Sequence, residues 1–551
     1  MTDSDGSECP DATADDHWST VDRTPTPPAD GRPELIADLV SAAAARTPDH
    51  LAIIDVTSGN RITWAALDAA VDAEALRLRA AGALPGERVV VRLRGGAGFC
   101  ISVLGALRAG AIAVPVGAVA VRRELDIVFG DCRPKVVVTA EGDDAAVGSA
   151  AAVGAAVLGP PAAGAPSGPL AEPNDNAVIR TAGDPEDVAL LIYTSGTTGT
   201  PRGVCLSHRA VLANRAQAAA LRPSPVTPVD RVLLTMPLFH VLGFAAGVLQ
   251  VCWSGATVVL ADNPDAETVL DVLVAERISA LAGVPSMYRA LLDLPGERLR
   301  SATAGLRVCT SGGAPLPPEW LTAFHEATGL WIVEAYGLTE AGPVVTSNAF
   351  DRPPKPGSVG RVLPGIELRL VDAEGRPLES IAPAQDAGVD WDEWADDPAD
   401  DTGRVALRGP NLFSGYWPDR TGGPDADGWF RTADVGFLDA DGDLHLVDRA
   451  SDVVIVSGFN VFPREVEQVL AELDGVAEAA VVGAPDERLG EVVKAVVVRK
   501  PDAELTEASV RAHCATRLAR FKVPAVIEFA EALPRTPTGK VARRVLAGGN
   551  R

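Results

Sequence analysis

Between residues 35 and 310 the sequence repeatedly switches between short runs of branched apolar residues and longer runs of mixed polarity. Arg88–Arg92, Lys135–Thr139, Val188–Ile192, Arg231–Met236, Ala256–Leu260 and Val308–Thr310 have the length and composition of strands. Leu35–Ala45, Trp64–Ala81, Ala97–Ala109 and His208–Ala219 read as helices. Strands alternating with crossover helices predict an α/β body with mostly parallel sheets covered on both faces. Gly142–Pro173, rich in Ala, Gly and Pro, is expected to be an irregular connection within that body.

From about residue 357 the pattern changes. Glu367–Val371 and Arg404–Leu407 are short strands separated by Gly, Pro and Asp turns, and residues 434–448 read as a hairpin turning at Asp441-Gly442. This predicts a smaller β-rich subdomain. Beyond it, a helix Pro463–Leu473, strands Glu478–Val482 and Glu491–Val498 around a turn Pro485–Gly490, and a helix Leu505–Ala519 predict a compact α+β domain. The expected organisation is a tail over 1–32, a large domain over 33–450 and a small mobile lid over 451–551.

The net charge of −25 argues against nucleic acid as a partner. Residues 1–30 and the stretch 386–401 together carry −15 of it. Neither stretch has apolar periodicity, so the first is expected to be a disordered tail and the second a solvated acidic insertion. The seven cysteines form no CxxC pair and the seven histidines are scattered, which predicts reduced thiols, no zinc site and a cytoplasmic protein. No signal peptide is expected. The apolar stretches 101–121 and 246–262 are broken by Arg108 and Gln250, and read as buried helices leading into strands rather than membrane spans, leaving peripheral membrane contact open.

The most chemically pointed stretch is Ile192–Val204, in which Gly196, Gly199 and Gly203 alternate with Thr194, Ser195, Thr197, Thr198 and Thr200. It follows an apolar strand and precedes the helix from His208, a strand–turn–helix context that turns backbone amides and hydroxyls toward one point. An anion with several oxygens is the natural occupant, and Arg202 adds positive charge beside it.

Further motifs follow in order: Tyr336-Gly337-Leu338-Thr339-Glu340, Gly428–Asp434, Asp448-Arg449 through Asp452, Gly458–Pro463, and Pro537-Thr538-Gly539-Lys540. With the Gly-rich loop, they make the chain beyond about residue 35 resemble the adenylate-forming enzymes, specifically the acyl-CoA synthetase family. The resemblance implies two reactions. A carboxylate displaces pyrophosphate from the α-phosphate of ATP, with Mg²⁺ as cofactor; a thiol, that of CoA, then displaces AMP.

The resemblance also implies residue roles. Thr194, Ser195, Gly196, Thr197, Thr198, Gly199 and Arg202 would hold the β- and γ-phosphates; Thr339 would contact the α-phosphate, and Glu340 would hold the metal. Gly312, Gly313, Ala335, Tyr336 and Gly337 would line the AMP site, with Tyr336 against adenine. Asp434 would anchor the ribose, and Arg449 would reach ribose or phosphate. Lys540 is the leading catalytic residue, stabilising charge that develops at the α-phosphate. Ser451 is the hinge, and Ser457, Gly458 and Phe459 would line the channel for the thiol arm. His240 would border the carboxylate end of the acyl pocket, whose further walls are expected from Trp253, Val284–Tyr288 and Val344-Val345. Arg517, Arg520 and Lys522 form a basic cluster that matches a CoA phosphate as readily as a solvated helix end. Three positions depart from the family's common spelling: Arg202 for Lys, Ala433 for Gly, and Ser451 for an acidic residue or Lys.

The pocket residues are mostly apolar, with no Asp near His240 to receive an amino group, so an amino-acid substrate is disfavoured. The expected substrate is an apolar carboxylic acid, a medium- or long-chain fatty acid. An aryl acid and a carrier-protein phosphopantetheine acceptor are the alternatives, and a non-enzymatic adenylate binder is opposed by Glu340, Asp434, Arg449 and Lys540.

Overall fold

The computed structural model describes residues 33–161, 183–194, 201–348, 352–372, 374–378, 402–449, 454–456, 459–461, 463–486, 490–501, 503–518, 520–536 and 540–547. The acidic stretches 1–32 and 386–401 lie outside the described residues.

Two large sheets build the first part of the chain. One has six strands in the order Ala156–Leu158, Val136–Thr139, Arg88–Arg92, Ile112–Pro115, Val188–Thr194 and Arg202–Ser207, parallel except for the last. The other has nine, with parallel strands from Ile332–Gly337 through Val308–Gly312, Ala280–Gly283, Arg231–Leu234 and Thr257–Leu260 to Leu51–Asp55. Antiparallel strands close both its edges. The mostly parallel α/β expectation therefore holds. The described part of Gly142–Pro173, residues 142–161, is more regular than expected: it contains the helix Asp144–Val153, capped by the Asp143 carboxylate, and the strand Ala156–Leu158. Its high Ala content, read as irregular, is a helix former's composition.

The principal core joins residues of both sheets, such as Val89 and Val91 of one and Ile53 and Val258 of the other. It also takes in the helix Ala97–Arg108, of which all but Gly98 is buried. Arg108 explains why this apolar run is not a membrane span. Its guanidinium is 2% exposed and sits 2.7 Å from both Asp68 and Asp72, so the buried charge is compensated. Among the described residues no helix is long and apolar enough to cross a membrane.

A four-stranded antiparallel sheet follows (Glu367–Val371, Gly403–Arg408, Phe430–Leu438, Leu444–Arg449), which is the expected β-rich subdomain with its terminal hairpin. The last part is a separate five-stranded sheet with the helices Pro463–Ala471 and Glu507–Ala515 and a core of its own around Val466, Leu470, Val481 and Val497. The six described free cysteines are all buried.

Candidate active site

Thr194 and Arg202 face each other across the antiparallel pair Val188–Thr194 and Arg202–Ser207. Ser195, Gly196, Thr197, Thr198 and Gly199 lie between them, outside the described residues. The Gly-rich loop thus connects two strands of a hairpin, and the helix starts only at His208. This corrects the strand–turn–helix context read from the sequence. Gly203 to Ser207 are buried against the sheet, so the segment after the loop is a strand. The helix terminus is therefore displaced from the loop, and its dipole, which acts within the first turn, does not serve it.

Arg202 is tied to the expected metal carboxylate through a residue that the sequence reading missed. Its guanidinium stacks 3.6 Å from the centre of the Tyr416 ring, and the Tyr416 hydroxyl donates to Glu340 Oε1 at 2.8 Å. Burial, followed by the neighbouring Glu340 carboxylate, pushes the Tyr416 hydroxyl well above its ordinary pKa, so it stays a donor.

Tyr416 belongs to a connecting segment that bonds to both partners. Phe413 N donates to Glu340 O at 2.9 Å, Asn411 Nδ2 to Ala341 O at 2.8 Å, Ser414 N to Cys205 O at 2.9 Å and Trp417 N to Gly203 O at 2.8 Å. Gly415 makes the turn possible, with φ of +114° and room for no Cβ, which would stand 2.1 Å from Arg420 O. The available signal was the cluster Ser414-Gly415-Tyr416-Trp417 between two glycine-rich turns.

The expected AMP-site residues converge. The ends of two adjacent parallel strands place Gly312 beside Ala335, and Gly313 follows at φ +83°. Gly337 passes so close to the next segment that a Cβ would meet Pro343 O at 2.0 Å. Thr339 and Glu340 occupy a short 3-10 turn, with Thr339 buried. The Tyr336 hydroxyl donates to Asp434 Oδ2 at 2.6 Å, joining the adenine and ribose candidates across two sheets. Arg449 pairs with Asp434 in strand register; only its backbone is described. Glu340 has the hard oxygen chemistry that Mg²⁺ requires, already oriented by Tyr416.

His240 opens a π-helical stretch, Leu242–Val248, a geometry frequent at functional sites. Its Nδ1 accepts from Leu242 N at 3.2 Å, which leaves the ring proton on Nε2. Burial, reinforced by the positive charge of Lys540, lowers its pKa to about 4, so the ring is neutral at pH 7. Lys540, from the C-terminal part of the chain, is thus near enough to His240 for its charge to act there. Thr536 N donates to Lys540 O at 2.7 Å and Lys540 N to Thr536 Oγ1 at 3.2 Å, closing the turn that carries it.

Not every expected residue joins this group. Ser451, Ser457 and Gly458 lie outside the described residues, and Phe459 is described only as backbone in the strand Phe459–Val461. Tyr288 is no pocket wall: it is fully buried in a second core, donates to Thr310 O at 2.9 Å and packs edge-on against Phe324. In the basic cluster, Lys522 pairs with Glu465 at 2.8 Å and Arg517 with Glu472 at 3.3 Å. The three carboxylates Asp439, Asp441 and Asp443 are held by the Lys355 ammonium, 2.6, 2.7 and 3.7 Å away.

Residues 40–417 match the model of the AMP-binding enzyme family, and residues 465–540 that of the AMP-binding enzyme C-terminal domain. A sulfoacetate–CoA ligase of Cupriavidus necator is 33% identical over 521 residues, 93% of this chain and 97% of its own. A long-chain-fatty-acid–CoA ligase of Bacillus subtilis is 36% identical over 366 residues, 66% of this chain and 62% of its own. The ATP-bound crystal structure of MatB from Rhodopseudomonas palustris has a TM-score of 0.82 at 32% identity, covering 93% of this chain and 98% of that one.

Proposed function

The chain belongs to the AMP-binding enzyme family of ATP-dependent, adenylate-forming CoA ligases, and on that premise we propose that it activates a carboxylic acid with a predominantly apolar body and transfers it to CoA. The observation that carries the reading is the Arg202–Tyr416–Glu340 chain standing beside Tyr336–Asp434. It offers a cation, a metal carboxylate and a ribose anchor in one constellation. The relatives named above act on acids as different as sulfoacetate and long-chain fatty acids, so family membership supports a carboxylate substrate without favouring a fatty one.

In this reading a carboxylate oxygen attacks the α-phosphorus, a P–O bond forms, and pyrophosphate departs. Arg202 and the loop hold the departing phosphates, Thr339 the α-phosphate, and Lys540 the charge developing there. Glu340 would hold Mg²⁺, which neutralises phosphate charge when bound. His240, neutral and with Nε2 protonated, is a hydrogen-bond donor at the carboxylate end of the pocket rather than a second cation. The thiol of CoA then attacks the acyl carbon, loses its proton, and AMP leaves with the former carboxylate oxygen. Lys540 is needed only for the first step, so the C-terminal domain would turn about Ser451 before the second, bringing Ser457, Gly458 and Phe459 to the thiol channel, while Arg449, on the large-domain side of the hinge beside Asp434, would keep its place at ribose or phosphate.

The test is a panel of fatty, short and aryl acids crossed with CoA and a holo-carrier protein, read by mass spectrometry. Acyl-CoA with AMP supports the reading; acyl-carrier alone reassigns the acceptor; no product from any acid overturns it.

A further inference from the structure

Among the described residues three arginines are almost wholly buried, and they are compensated differently. Arg108 meets Asp68 and Asp72, and Arg92, 7% exposed, is ion-paired with Asp143. Arg215, 1% exposed, has no carboxylate partner among the described residues. Its two hydrogen bonds go to neutral amide oxygens, Nη1 to Gln250 Oε1 at 3.2 Å and Nη2 to Asn214 Oδ1. Its Nε has no partner, and neither does Gln250 Nε2 beside it. Burial lowers the Arg215 pKa to about 9, which still leaves the group charged at neutral pH. An uncompensated buried guanidinium with unused donors is costly, and an anion is what offsets that cost.

Its place in the fold says which anion. Arg215 lies on the helix His208–Ala219, next to Asn214, which clamps Val344 by donating to its carbonyl at 2.7 Å and accepting from its amide at 3.0 Å. Gln250 lies on the helix Leu249–Ser254, which continues the π-helical stretch Leu242–Val248. At the other end of that stretch Leu242 packs over the AMP-site glycines, its Cδ2 3.3 Å from where a Cβ of Gly313 would be. Arg215 therefore ties together two of the walls expected for the acyl pocket, the Val344 segment through Asn214 and the helical stretch following His240 through Gln250. At about 1.5 Å per residue the helix carries Gln250 at most roughly 15 Å beyond His240.

We propose that Arg215 and Gln250 form the far end of the acid-binding site and receive a second anionic group, a carboxylate or a sulfonate, carried by the substrate itself. The substrate class is then an acid with an apolar middle and a second anion at its distal end. Arg215 would supply paired N–H donors in a fixed fork and Gln250 its amide N–H, so the arrangement rewards a planar carboxylate in particular. The proposal rests on the CoA-ligase reading above.

The experiment compares α,ω-dicarboxylic acids from succinic to dodecanedioic acid with the monocarboxylic acids of equal length, measuring kcat/KM for AMP formation by the whole enzyme. The wild type is expected to prefer the diacid at one or a few adjacent lengths by roughly tenfold or more, the scale of a hydrogen bond to a charged group. Arg215→Met should collapse that ratio mainly through the KM of the diacid, and Arg215→Lys should retain part of it. A wild type that favours the monoacid at every length overturns the proposal without any variant being needed. So does a folded Arg215→Met enzyme whose diacid-to-monoacid ratio is unchanged, since a purely structural arginine would alter melting but not that ratio. Failure to form AMP from any acid would instead sink the CoA-ligase reading on which the proposal rests.

Discussion

Tyr416 shows how a functional contact escapes motif reading. The sequence singles out Arg202 and Glu340 separately, because each sits in a recognisable run. What binds them is a tyrosine 76 positions beyond Glu340, brought in by a segment that hydrogen-bonds to the strand after the Gly-rich loop and to the turn carrying Glu340. Arginine at position 202 is suited to this neighbour, since a planar guanidinium stacks on a ring better than an ammonium does. If Tyr416 positions the metal carboxylate, Tyr416→Phe should raise the Mg²⁺ concentration for half-maximal pyrophosphate release by roughly tenfold, the scale of one charged hydrogen bond. An unchanged Mg²⁺ titration with an unchanged melting temperature would mean that the hydroxyl does not serve the site.

Individual elements were legible wherever periodicity and length agreed, as in Arg88–Arg92, Val308–Gly312 and the terminal hairpin. The Gly-rich loop was misplaced in context because Arg202–Ser207 is short and runs directly into a helix, so no turn residue marks the boundary between them. That boundary is instead fixed by Ser207, whose hydroxyl accepts from Ala210 N at 3.2 Å, and by His208, whose Nδ1 accepts from Ile36 N at 3.1 Å. Burial, partly opposed by Asp187, lowers the His208 pKa from 6.5 to about 4. The folded state therefore refuses a proton that the unfolded chain accepts below about pH 6.5. Stability from this group is complete above pH 6.5, falls as the pH drops toward 4, and changes no further below it; the full loss is on the order of 3 kcal/mol. His240 acts in the same direction. Thermal melts of the wild type and of His208→Gln across this range should show a shallower acid loss in the variant. Parallel curves would contradict the assignment.

For the whole molecule, the α/β body, the β-rich subdomain and the small terminal domain follow from the order of elements. The placement of Lys540 near His240 required the fold, because 300 residues separate them. In the proposed function, adenylation depends on a lysine delivered by the smaller domain, while thioester formation proceeds without it. Lys540→Ala is accordingly expected to lower acyl-adenylate formation by at least about a hundredfold, a loss typical for a group stabilising transition-state charge, while leaving CoA acylation from supplied acyl-adenylate close to wild type. Equal loss in both half-reactions would contradict that division.

Adenylate formation requires that the acid's oxygen attack the α-phosphorus of ATP. A carboxylate labelled with heavy oxygen, turned over with ATP, Mg²⁺ and CoA, decides it. The expected products are acyl-CoA, unlabelled pyrophosphate and AMP bearing one labelled oxygen. Label in inorganic phosphate with ADP as the nucleotide product would contradict it, because the attack would then have fallen on the γ-phosphorus.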